Sequence, residues 1–429
     1  MFKNFVQRKL ENSVVKYFKK HPEVRLVLVA GSVGKTSSRN AIATVLSQKY
    51  RVRMAIENYN SEISAPLAML GIELPSSLRN PLAWWGVFRA ARTRLSQPAD
   101  VDIIVQEIGV DHPGEMQQYL RYLRADIAVV TGVTPEHMEF FHTLDAVAKE
   151  ELSILQIAKL GLINRDDIDS KYADLLTSAD FRTYGTSGSG EYHFELTEQS
   201  PLEGAKGLVT APGVVEPFMV ATSLLGEHTI RPVMAAVACG AEMGLTIDEI
   251  VAGVAKIQPV PGRMSPLRGL NDTVVIDDTY NSSPAAAAAA IQTLYGFDTE
   301  PQRIAVLGSM NELGPVSAEE HTRLGELCSP DLLAWVVVVG DEAAKYLAPA
   351  AKQRGCQVKV CRDAIEAGEF VRSVAEPGSV ILVKGSQGGI YLEETVKILC
   401  EISEHDKLVR QSSKWQDIKQ QHFSAFVDE

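Results

Sequence analysis

At 429 residues the chain is long enough for two or three domains, because domains average about 100–200 residues. Hydrophobic residues make up 45% of it and charged residues 22%, which is typical of a globular protein and excludes a disordered or fibrous one. The net charge of −12 argues against general nucleic-acid binding, which requires a basic surface. No apolar run approaches the ~20 residues of a transmembrane segment. The five cysteines form no CxxC pair, so we expect reduced thiols in a cytoplasmic protein.

The first 23 residues predict a basic amphipathic helix. Apolar side chains recur at every fourth position, at Phe2, Val6, Leu10, Val14 and Phe18, with lysines and arginines between them. Two interpretations are open: the helix packs on the following domain, or its basic surface contacts a membrane. Packing on the next domain is the more common outcome, and we favour it.

Residues 24–37, VRLVLVAGSVGKTS, predict a phosphate-binding loop between a strand and a helix. The loop comprises Gly31, Ser32, Val33, Gly34, Lys35, Thr36 and Ser37. Two glycines let backbone N–H groups face a phosphate, and the helix amino terminus adds the positive end of its dipole. Lys35 would supply a point charge to the β- and γ-phosphates, and Thr36 a hydroxyl ligand for Mg²⁺. Since Val29 stands where the strict P-loop pattern has glycine, the loop is a shortened version of that pattern.

Apolar strand candidates alternate with helical stretches through the first half of the chain. These candidates are residues 25–30, 102–107, 126–131 and 160–164. The alternation predicts an α/β fold, with a doubly wound parallel sheet that carries the phosphate loop. Residues 181–222 are short and turn-rich, which predicts a small antiparallel addition to this domain.

A second α/β pattern follows the stiff segment PVPGR at 259–263, where we place a domain hinge. Its strand candidates lie near 273–277, 303–308, 335–340 and 380–384, and they predict a smaller Rossmann-like domain. The predicted division is an amphipathic helix at 1–23, a central phosphate-loop domain at 24–262, a Rossmann-like domain at 263–400 and a tail at 401–429. The sequence assigns the tail no role.

Two strand ends in the central domain carry residues suited to a metal site. Glu107 ends an apolar strand, and His137 follows the next strand along the chain. The carboxyl ends of parallel strands form the ligand-binding edge of such a sheet, so Glu107 is predicted to hold Mg²⁺ and His137 a second metal. Lys149 and Glu151 lie on the following helix, either as further site residues or as part of an exposed charged face. Both interpretations remain open.

Polar residues also follow the strands of the second domain. Asp277 is expected to accept ribose hydroxyls, and Tyr280 to stack on a base, with Asn281 beside them. Arg263 comes from the hinge and Lys384 from the end of the last strong strand. If the two domains close, these two cations could reach an anionic intermediate; otherwise they are ordinary surface charges.

Eight segments together resemble the Mur ligase family, and most closely its D-alanyl-D-alanine-adding branch. The resemblance runs from about residue 24 to about residue 400, with the segments in the family's order. They are AGSVGKTS (30–37), ENYNSEISAPLAML (57–70), QEIGVDHPGEM (106–116), TGVTPEHMEFF (131–141), PVPGRM (259–264), DDTYNSSP (277–284), LGSMNELG (307–314) with His321, and LVKGS (382–386).

The resemblance implies a set of roles for the residues already named. ATP would lie on the loop, with Lys35 and Thr36 at its phosphates and at Mg²⁺, while Glu107 and His137 bind metal. The ATP-binding set would also include Arg263, Asp277, Tyr280 and Asn281. The implied reaction activates a carboxylate as an acyl phosphate, which an amine attacks to give an amide, ADP and phosphate. Lys35, His137, Lys149, Glu151, Arg263 and Lys384 are the residues we expect to carry it.

The chain also departs from the family's pattern. Family members have an amino-terminal domain that binds the uridine nucleotide, whereas about 24 residues precede the loop strand here. A separate partner could take the place of that domain, and whether there is one stays open. The family's metal-binding carbamoylated lysine aligns with Glu151, or with Lys149 if two residues are deleted. An asparagine expected after Gly226-Glu227-His228 is replaced around Pro232, Gln387 stands where that branch often has arginine, and Ser309 where it has aspartate.

Three functional hypotheses follow. The first is an ADP-forming ligase of cell-wall precursor synthesis that joins a dipeptide or a similar amine to the carboxylate of a nucleotide-sugar peptide. The second keeps the chemistry but uses another carboxylate, as folate-polyglutamate or poly-amino-acid ligases do. The third is a nucleotide-binding protein that has lost catalysis. The intact Lys35, Thr36, Glu107 and His137 favour an active ligase.

Overall fold

A computed structural model describes residues 2–55, 59–75, 77–78, 80–135, 138–176, 180–297 and 302–424. The chain forms two compact units. The first comprises Met1–Leu196, Gly207–Ala221 and Ile230–Ile257, and the second comprises Thr197–Lys206, Thr222–Thr229 and Gln258–Glu429. The domain boundaries expected from the sequence stay a prediction.

The first sheet has nine strands in the order β2-β3-β1-β4-β5-β6-β7-β8-β9. Its strands are β1 (Arg25–Ala30), β2 (Val52–Met54), β3 (Ile103–Glu107), β4 (Ala125–Val130), β5 (Ala158–Asn164), β6 (Asp180–Gly185), β7 (Tyr192–Ser200), β8 (Gly204–Thr210) and β9 (Phe218–Thr222). Strand β1 is almost wholly buried and apolar, as a central parallel strand covered on both faces must be. It pairs in parallel with β3 and β4.

Nine helices belong to this part of the described chain. They are α1 (Phe2–Lys20), α2 (Lys35–Leu46), α3 (Ser64–Leu70), α4 (Pro81–Ser96), α5 (Met116–Leu120), α6 (Met138–Phe141), α7 (Leu144–Leu152), α8 (Glu227–Glu242) and α9 (Ile247–Val254). Local signals fix several of their starts. The Asn80 side chain caps α4, and Thr246 with Glu249 forms a reciprocal capping box at α9.

The basic amphipathic helix predicted at the amino terminus is confirmed as α1. Its buried stripe, which includes Val6, Leu10 and Val14, packs on the first unit, where Val6 and Leu10 share a cluster with Leu67 and Trp84. The favoured interpretation, packing on the following domain, is therefore correct for this stripe.

The segment 181–222 differs from its prediction. Strand β6 pairs in parallel with β5, and the first residues of β7 pair in parallel with the end of β6. Only three residues separate β7 from β8, too few for a parallel crossover, so those two neighbours run antiparallel. The segment thus extends the main sheet, and the expected small antiparallel addition is contradicted for β6 and the start of β7, which pair in parallel.

The second sheet has six strands in the order β10-β11-β15-β12-β13-β14. Among the described pairs of this sheet, β10 is antiparallel to β11 and the other pairs are parallel. The strands are β10 (Ser265–Arg268), β11 (Val274–Asp278), β12 (Arg303–Gly308), β13 (Trp335–Val339), β14 (Val358–Cys361) and β15 (Val380–Lys384). The helices are α10 (Pro284–Tyr295), α11 (Ser317–Leu327), α12 (Ala348–Gln353), α13 (Ala364–Val374), α14 (Glu393–Leu399) and α15 (Ser413–Ser424).

Side chains alternate between two cores across this sheet. Val336 and Val338 lie in the cluster that includes α10 and α11, whereas Val337 and Val339 lie in the cluster that includes α13 and α14. The two-residue period of a strand places its neighbours on opposite faces, so both faces are covered by helices. The predicted α/β class, with a phosphate-loop sheet and a smaller Rossmann-like sheet, is confirmed.

All five cysteines lie in the described ranges, where each is buried and none forms a disulfide. Within those ranges no helix combines the length and the apolar character needed to cross a bilayer.

Candidate active site

The predicted phosphate loop lies at the carboxyl end of β1, in the middle of the first sheet. Val29 of β1 is in register with Glu107 of β3, and Ala30 with Val130 of β4. Loops that follow neighbouring parallel strands meet at this edge, which is where doubly wound sheets bind ligands. The polar residues after β1, β3 and β4 are therefore gathered by the fold itself.

The loop takes its shape from two glycines in conformations that other residues rarely adopt. Gly31 has a φ of 125° and Gly34 a φ of 81°. A side chain at Gly31 would put its Cβ 2.4 Å from the Thr131 hydroxyl, so both the backbone angle and the space require glycine. Helix α2 begins directly after Gly34. The N–H groups in the first turn of a helix have no carbonyl within the helix to bind, which suits them to phosphate oxygens.

The Lys35 ammonium lies over this loop. Its Nζ donates to the Gly31 carbonyl and, at 3.1 Å, to the Ser32 carbonyl. Ser32 is itself held by the Gly132 carbonyl, to which its backbone N–H donates at 2.9 Å. The cation is thus kept within the loop, where the phosphates of a bound nucleotide would lie. Val33, between the two glycines, is exposed, and Ser37 is half-buried in the first turn of α2.

Thr36 and Glu107 are in direct contact. The Thr36 hydroxyl donates to Glu107 Oε2 at 3.0 Å, and the Arg39 guanidinium lies 3.3 Å from the same oxygen. The other carboxylate oxygen, Oε1, accepts from the Asn60 amide at 3.4 Å. Burial lowers the pKa of Arg39, and the charge of Glu107 opposes that shift. A hydroxyl and a carboxylate beside a phosphate loop are the hard oxygen ligands that Mg²⁺ prefers, so these residues fit the ion.

Glu151 and Lys149 are separated by the structure although both lie on α7. The Glu151 side chain is 3% exposed, and its Oε2 accepts from the Gly31 backbone N–H at 2.8 Å. Lys149 is exposed to solvent. Positions two apart on a helix point in different directions, so only one of the two can face the loop. The carboxylate closes the amino-terminal side of the phosphate loop.

His137, the predicted ligand of a second metal, lies outside the described residues together with Glu136. Within the described ranges, histidine, cysteine and acidic side chains form no group of three or more suited to a metal. The role of His137 stays a prediction.

The sequence analysis did not single out a polar cluster at the end of β5. Asp167 accepts from Asn164 at 2.7 Å and from the Arg231 guanidinium at 2.9 Å, and Asn164 also donates to the Thr131 carbonyl at 2.8 Å. Burial raises the pKa of the Asp167 carboxyl, which Arg231 and Asn164 oppose. The sequence does mark this cluster, because a run of polar residues, Asn164-Arg165-Asp166-Asp167, stands at the end of this apolar strand too.

In the second unit, Asp277 lies fully buried at the end of β11. Its Oδ1 accepts from the backbone and the hydroxyl of Thr279, at 3.1 and 2.6 Å, and its Oδ2 has no hydrogen-bond partner among the described residues. Burial raises the pKa of this carboxyl to about 6, against the hydrogen bonds from Thr279. The side chain fixes the turn that follows the strand. Its contact with a nucleoside stays a prediction.

Lys384 forms a buried ion pair. Its Nζ lies 2.6 Å from Asp278 Oδ2 and 3.1 Å from the Asn281 carbonyl, and the residue is 2% exposed. Asp278 also accepts from the Met264 backbone N–H at 3.1 Å. This lysine is therefore not an ordinary surface charge: it ties the end of β15 to the loop after β11.

Arg263 and Tyr280 form an exposed pair in the second unit. The guanidinium carbon of Arg263 lies 4.5 Å from the centre of the Tyr280 ring, within the range of a cation–π contact. The Tyr280 backbone N–H donates to the Gly262 carbonyl at 2.9 Å, and Asn281 is exposed beside it. The PVPGRM and DDTYNSSP segments, separate in the sequence, are thus joined by backbone and ring contacts.

The tail, to which the sequence assigned no role, contacts the loop that contains Thr279 and Tyr280. Arg410 donates to the backbone carbonyls of Thr279 and Tyr280, and it forms a two-pronged pair with Glu393 at 2.9 and 2.8 Å. Glu393 is wholly buried, and Lys419 of α15 lies 3.6 Å from it. No local pattern marks Arg410, because its partners lie up to 131 residues away in the chain.

His321 of the LGSMNELG segment serves the structure. It is wholly buried in α11, its Nε2 accepts from the Met310 backbone N–H at 2.9 Å, and its Nδ1 lies 2.8 Å from the Ser317 carbonyl. These two contacts fix the orientation of the ring within α11. Ser309 contacts this region through its hydroxyl, which accepts from the Ala343 backbone N–H at 3.1 Å.

Two family models match most of the chain. One is described as the Mur ligase middle domain and matches residues 29–240; the other is described as the Mur ligase, glutamate ligase domain and matches residues 262–387. Among proteins of assigned function, the chain is 29% identical over 382 residues to the UDP-N-acetylmuramoyl-tripeptide--D-alanyl-D-alanine ligase of Bacillus subtilis. That match covers 88% of this chain and 76% of the relative.

Solved structures share the fold. MurF from Acinetobacter baumannii matches with a TM-score of 0.71 at 22% identity, over 90% of this chain and 79% of that one. MurF from Thermotoga maritima, whose structure is a complex with ADP, matches with a TM-score of 0.69 at 21% identity, over 90% and 83% of the two chains.

Proposed function

The chain belongs to the Mur ligase family, and we propose that it is an ATP-dependent, ADP-forming amide ligase of peptidoglycan precursor synthesis. We propose that it joins D-alanyl-D-alanine to the free carboxylate of a UDP-N-acetylmuramoyl-tripeptide, the reaction for which the Bacillus subtilis relative is named. The observation that carries the proposal is the contact of Thr36 with Glu107 beside a glycine loop that holds Lys35. Such a reaction takes place in the cytoplasm, where ATP is available.

The first step we propose is phosphoryl transfer. An oxygen of the substrate carboxylate attacks the γ-phosphorus of ATP, the bond to the β,γ-bridging oxygen breaks, and ADP leaves as an acyl phosphate forms. Negative charge spreads over the transferred group during this step. Lys35 and the N–H groups at the start of α2 stabilise that charge, since fixed donors act strongly where water is excluded.

Thr36 and Glu107 are the residues we propose for Mg²⁺, which when bound neutralises phosphate charge and orients the transferred group. Glu107 is held ready for this by Asn60 and Arg39. Glu151 fixes Gly31, so the loop keeps its curvature while the phosphates are bound. His137 is retained as a proposed ligand of a second metal.

The second step is amide formation. The amine attacks the acyl carbon, a tetrahedral intermediate forms, inorganic phosphate leaves with the carbon–oxygen bond electrons, and the amine loses a proton. Arg263 is the exposed cation of the second unit that we propose for this anionic stage, while Lys384 positions Asn281 and Asp278. Tyr280 and Asn281 are proposed around the nucleoside.

The test is release of inorganic phosphate by the full chain with Mg-ATP, UDP-N-acetylmuramoyl-tripeptide and D-alanyl-D-alanine. We expect phosphate release that requires all three substrates, an amide product of the corresponding mass, and loss of both in Lys35→Ala. Turnover with other carboxylates but not with this tripeptide would contradict the proposed substrate and support the proposed ligase chemistry. ATP binding without turnover on any carboxylate and amine would overturn the assignment as an enzyme.

A further inference from the structure

Helices α1 and α4 of the first unit, with Leu78 just before α4, present an exposed group of large apolar side chains. We call it the apolar patch and define it as Phe2, Phe5, Leu78, Leu82 and Trp85. Their exposed fractions run from 44% for Phe2 to 80% for Leu82. A soluble chain gains nothing from leaving two phenylalanines, two leucines and a tryptophan in water together, so the patch indicates an interaction surface.

Ring contacts connect the two helices within this patch. The Phe5 and Phe88 rings lie edge to face, 6.4 Å apart, and Phe88 lies 6.1 Å from Trp84. The Trp84 indole N–H donates to the Leu78 carbonyl at 2.9 Å. At 100° per residue, Phe88, Trp85 and Leu82 follow one another around α4 within about 120°. The apolar patch therefore continues from the start of α1 around α4.

Two cations border the patch. Lys9 lies over the Phe88 ring at 3.9 Å, and Arg89 lies 5.9 Å from the Trp85 ring. The two helices carry nine lysines and arginines and a single carboxylate, Glu11, in a chain whose net charge is −12. Lys3 pairs with Glu62 and Arg94 with Asp100, so the positive charge beside the patch comes from Lys9 and Arg89.

We propose that this face binds the surface of an anionic lipid bilayer. Aromatic and leucine side chains enter the boundary between headgroups and acyl chains, while the cations around them meet the negative headgroups. The apolar patch explains insertion and the cations explain the preference for anionic lipid. A second copy of the chain fits less well, because a symmetric contact would bring the same cations together.

The buried stripe of α1 adjoins this face. Val6, Leu10 and Val14 are buried, whereas Phe5 lies about 100° around the helix from Val6, and Phe2, at the exposed start of the helix, lies in line with Val6. Both interpretations of the amino-terminal helix are therefore accommodated: one side packs on the domain and another is available to a membrane. Binding needs no unfolding of α1.

The test is cosedimentation of the full chain with vesicles of phosphatidylcholine alone and of its equimolar mixture with phosphatidylglycerol. We expect binding to the anionic vesicles that weakens as salt is added, since salt screens the headgroup charge. Each of Leu82→Ser and Trp85→Ser should lower the partition coefficient about tenfold, because each change removes apolar area that would be buried in the bilayer. Arg89→Ala should lower it about fivefold.

Matched controls exist elsewhere on the surface. Val215 and Ile402 are 97% and 84% exposed, and Val215→Ser and Ile402→Ser should leave vesicle binding unchanged. Equal binding to both vesicle types, no binding to either, or full binding by Trp85→Ser would overturn the proposal. So would a dimer in sedimentation velocity that Trp85→Ser dissociates. Retained phosphate release in the patch variants separates this surface from the ligase site.

Discussion

The two units differ in how they fix the loop that carries polar groups at the carboxyl end of a parallel sheet. In the first, the phosphate loop at 31–37 takes its shape mainly from its own backbone, through the positive φ angles of Gly31 and Gly34, and one distant side chain, Glu151, binds the Gly31 N–H. In the second, the loop at 277–281 contains no glycine and is held by side chains from far along the chain, Lys384 and Arg410.

The difference shows what each loop is suited to do. The phosphate loop presents backbone N–H groups and the start of a helix, which are suited to binding phosphate oxygens whatever the side chains are. The second loop is fixed by buried ion pairs that leave the Tyr280 ring and Asn281 exposed. Substitutions around the first loop should therefore change chemistry, and substitutions around the second should change positioning and stability.

The largest expected effect is on Glu107, the carboxylate of the first unit that we propose for Mg²⁺. Glu107→Gln keeps the shape but removes the charge that faces Thr36 and Arg39. Because a metal stabilises several kcal/mol of developing charge, we expect turnover to fall by about 100-fold or more. The measurement is phosphate release over a Mg²⁺ titration, with the exposed Glu319→Gln as the control. An unchanged Mg²⁺ requirement would contradict the role of Glu107.

Arg410→Ala should act on the second unit through stability. It leaves Glu393 buried with Lys419 as its remaining cation, and loss of one partner of a buried pair costs about 3 kcal/mol. We expect a lower free energy of unfolding in urea and a raised KM for ATP, with kcat less affected. Arg323→Ala removes exposed pairs with Glu319 and Glu320 and should cost under about 1 kcal/mol. A normal stability with a collapsed kcat would show that the two loops do not divide their roles in this way.

Glu151→Ala tests whether the first loop depends on its backbone alone. The change leaves the buried Gly31 N–H without its carboxylate acceptor, at a cost of about 1–3 kcal/mol. We expect about a tenfold to hundredfold lower kcat/KM for ATP. Lys149→Ala, on the same helix but exposed, should stay within twofold of the parent. If the two variants behave alike, the loop does not need its acidic neighbour.

Asp277 should make the stability of the second unit depend on pH. Its pKa is raised from 3.8 to about 6 by burial, so the folded protein keeps this proton at pH values where the unfolded chain has lost it. The contribution to stability is present below pH ~4 and is lost as the pH rises to ~6, by up to about 3 kcal/mol. The asparagine in Asp277→Asn does not titrate. The melting temperature of this variant relative to that of the parent should therefore rise between pH 4.5 and 7, a range that covers most of the expected transition. A constant difference would place the ionisation elsewhere.

Sequence reasoning found the phosphate loop because its signal is local. Gly31, Gly34 and Lys35 lie within five positions, and the strand before them and the helix after them are continuous patterns. The ends of β3 and β11 were found in the same way, as polar residues after apolar runs. Asn164 and Asp167 follow the same rule at β5, so they could have been found as well.

Long-range partners were beyond the reach of local patterns. Arg410 meets Thr279 and Tyr280, Arg231 meets Asp167, and Asn60 meets Glu107, and none of these pairs has a fixed spacing. The choice between Lys149 and Glu151 was equally undecided, because it depends on which side of α7 faces the loop. The apolar patch belongs to this group, since only the packing of α1 and α4 decides which of their apolar residues stay exposed.

The sequence by itself determined the fold class, the family resemblance and the phosphate loop, because each depends on the periodicity, order and backbone preferences of neighbouring residues. The tertiary structure decided that Glu151 faces Gly31, that Lys384 is buried with Asp278, and that the tail holds the Tyr280 loop. The physical reason is that buried charges are stable only beside particular partners, and those partners are brought together by folding rather than by the order of the chain.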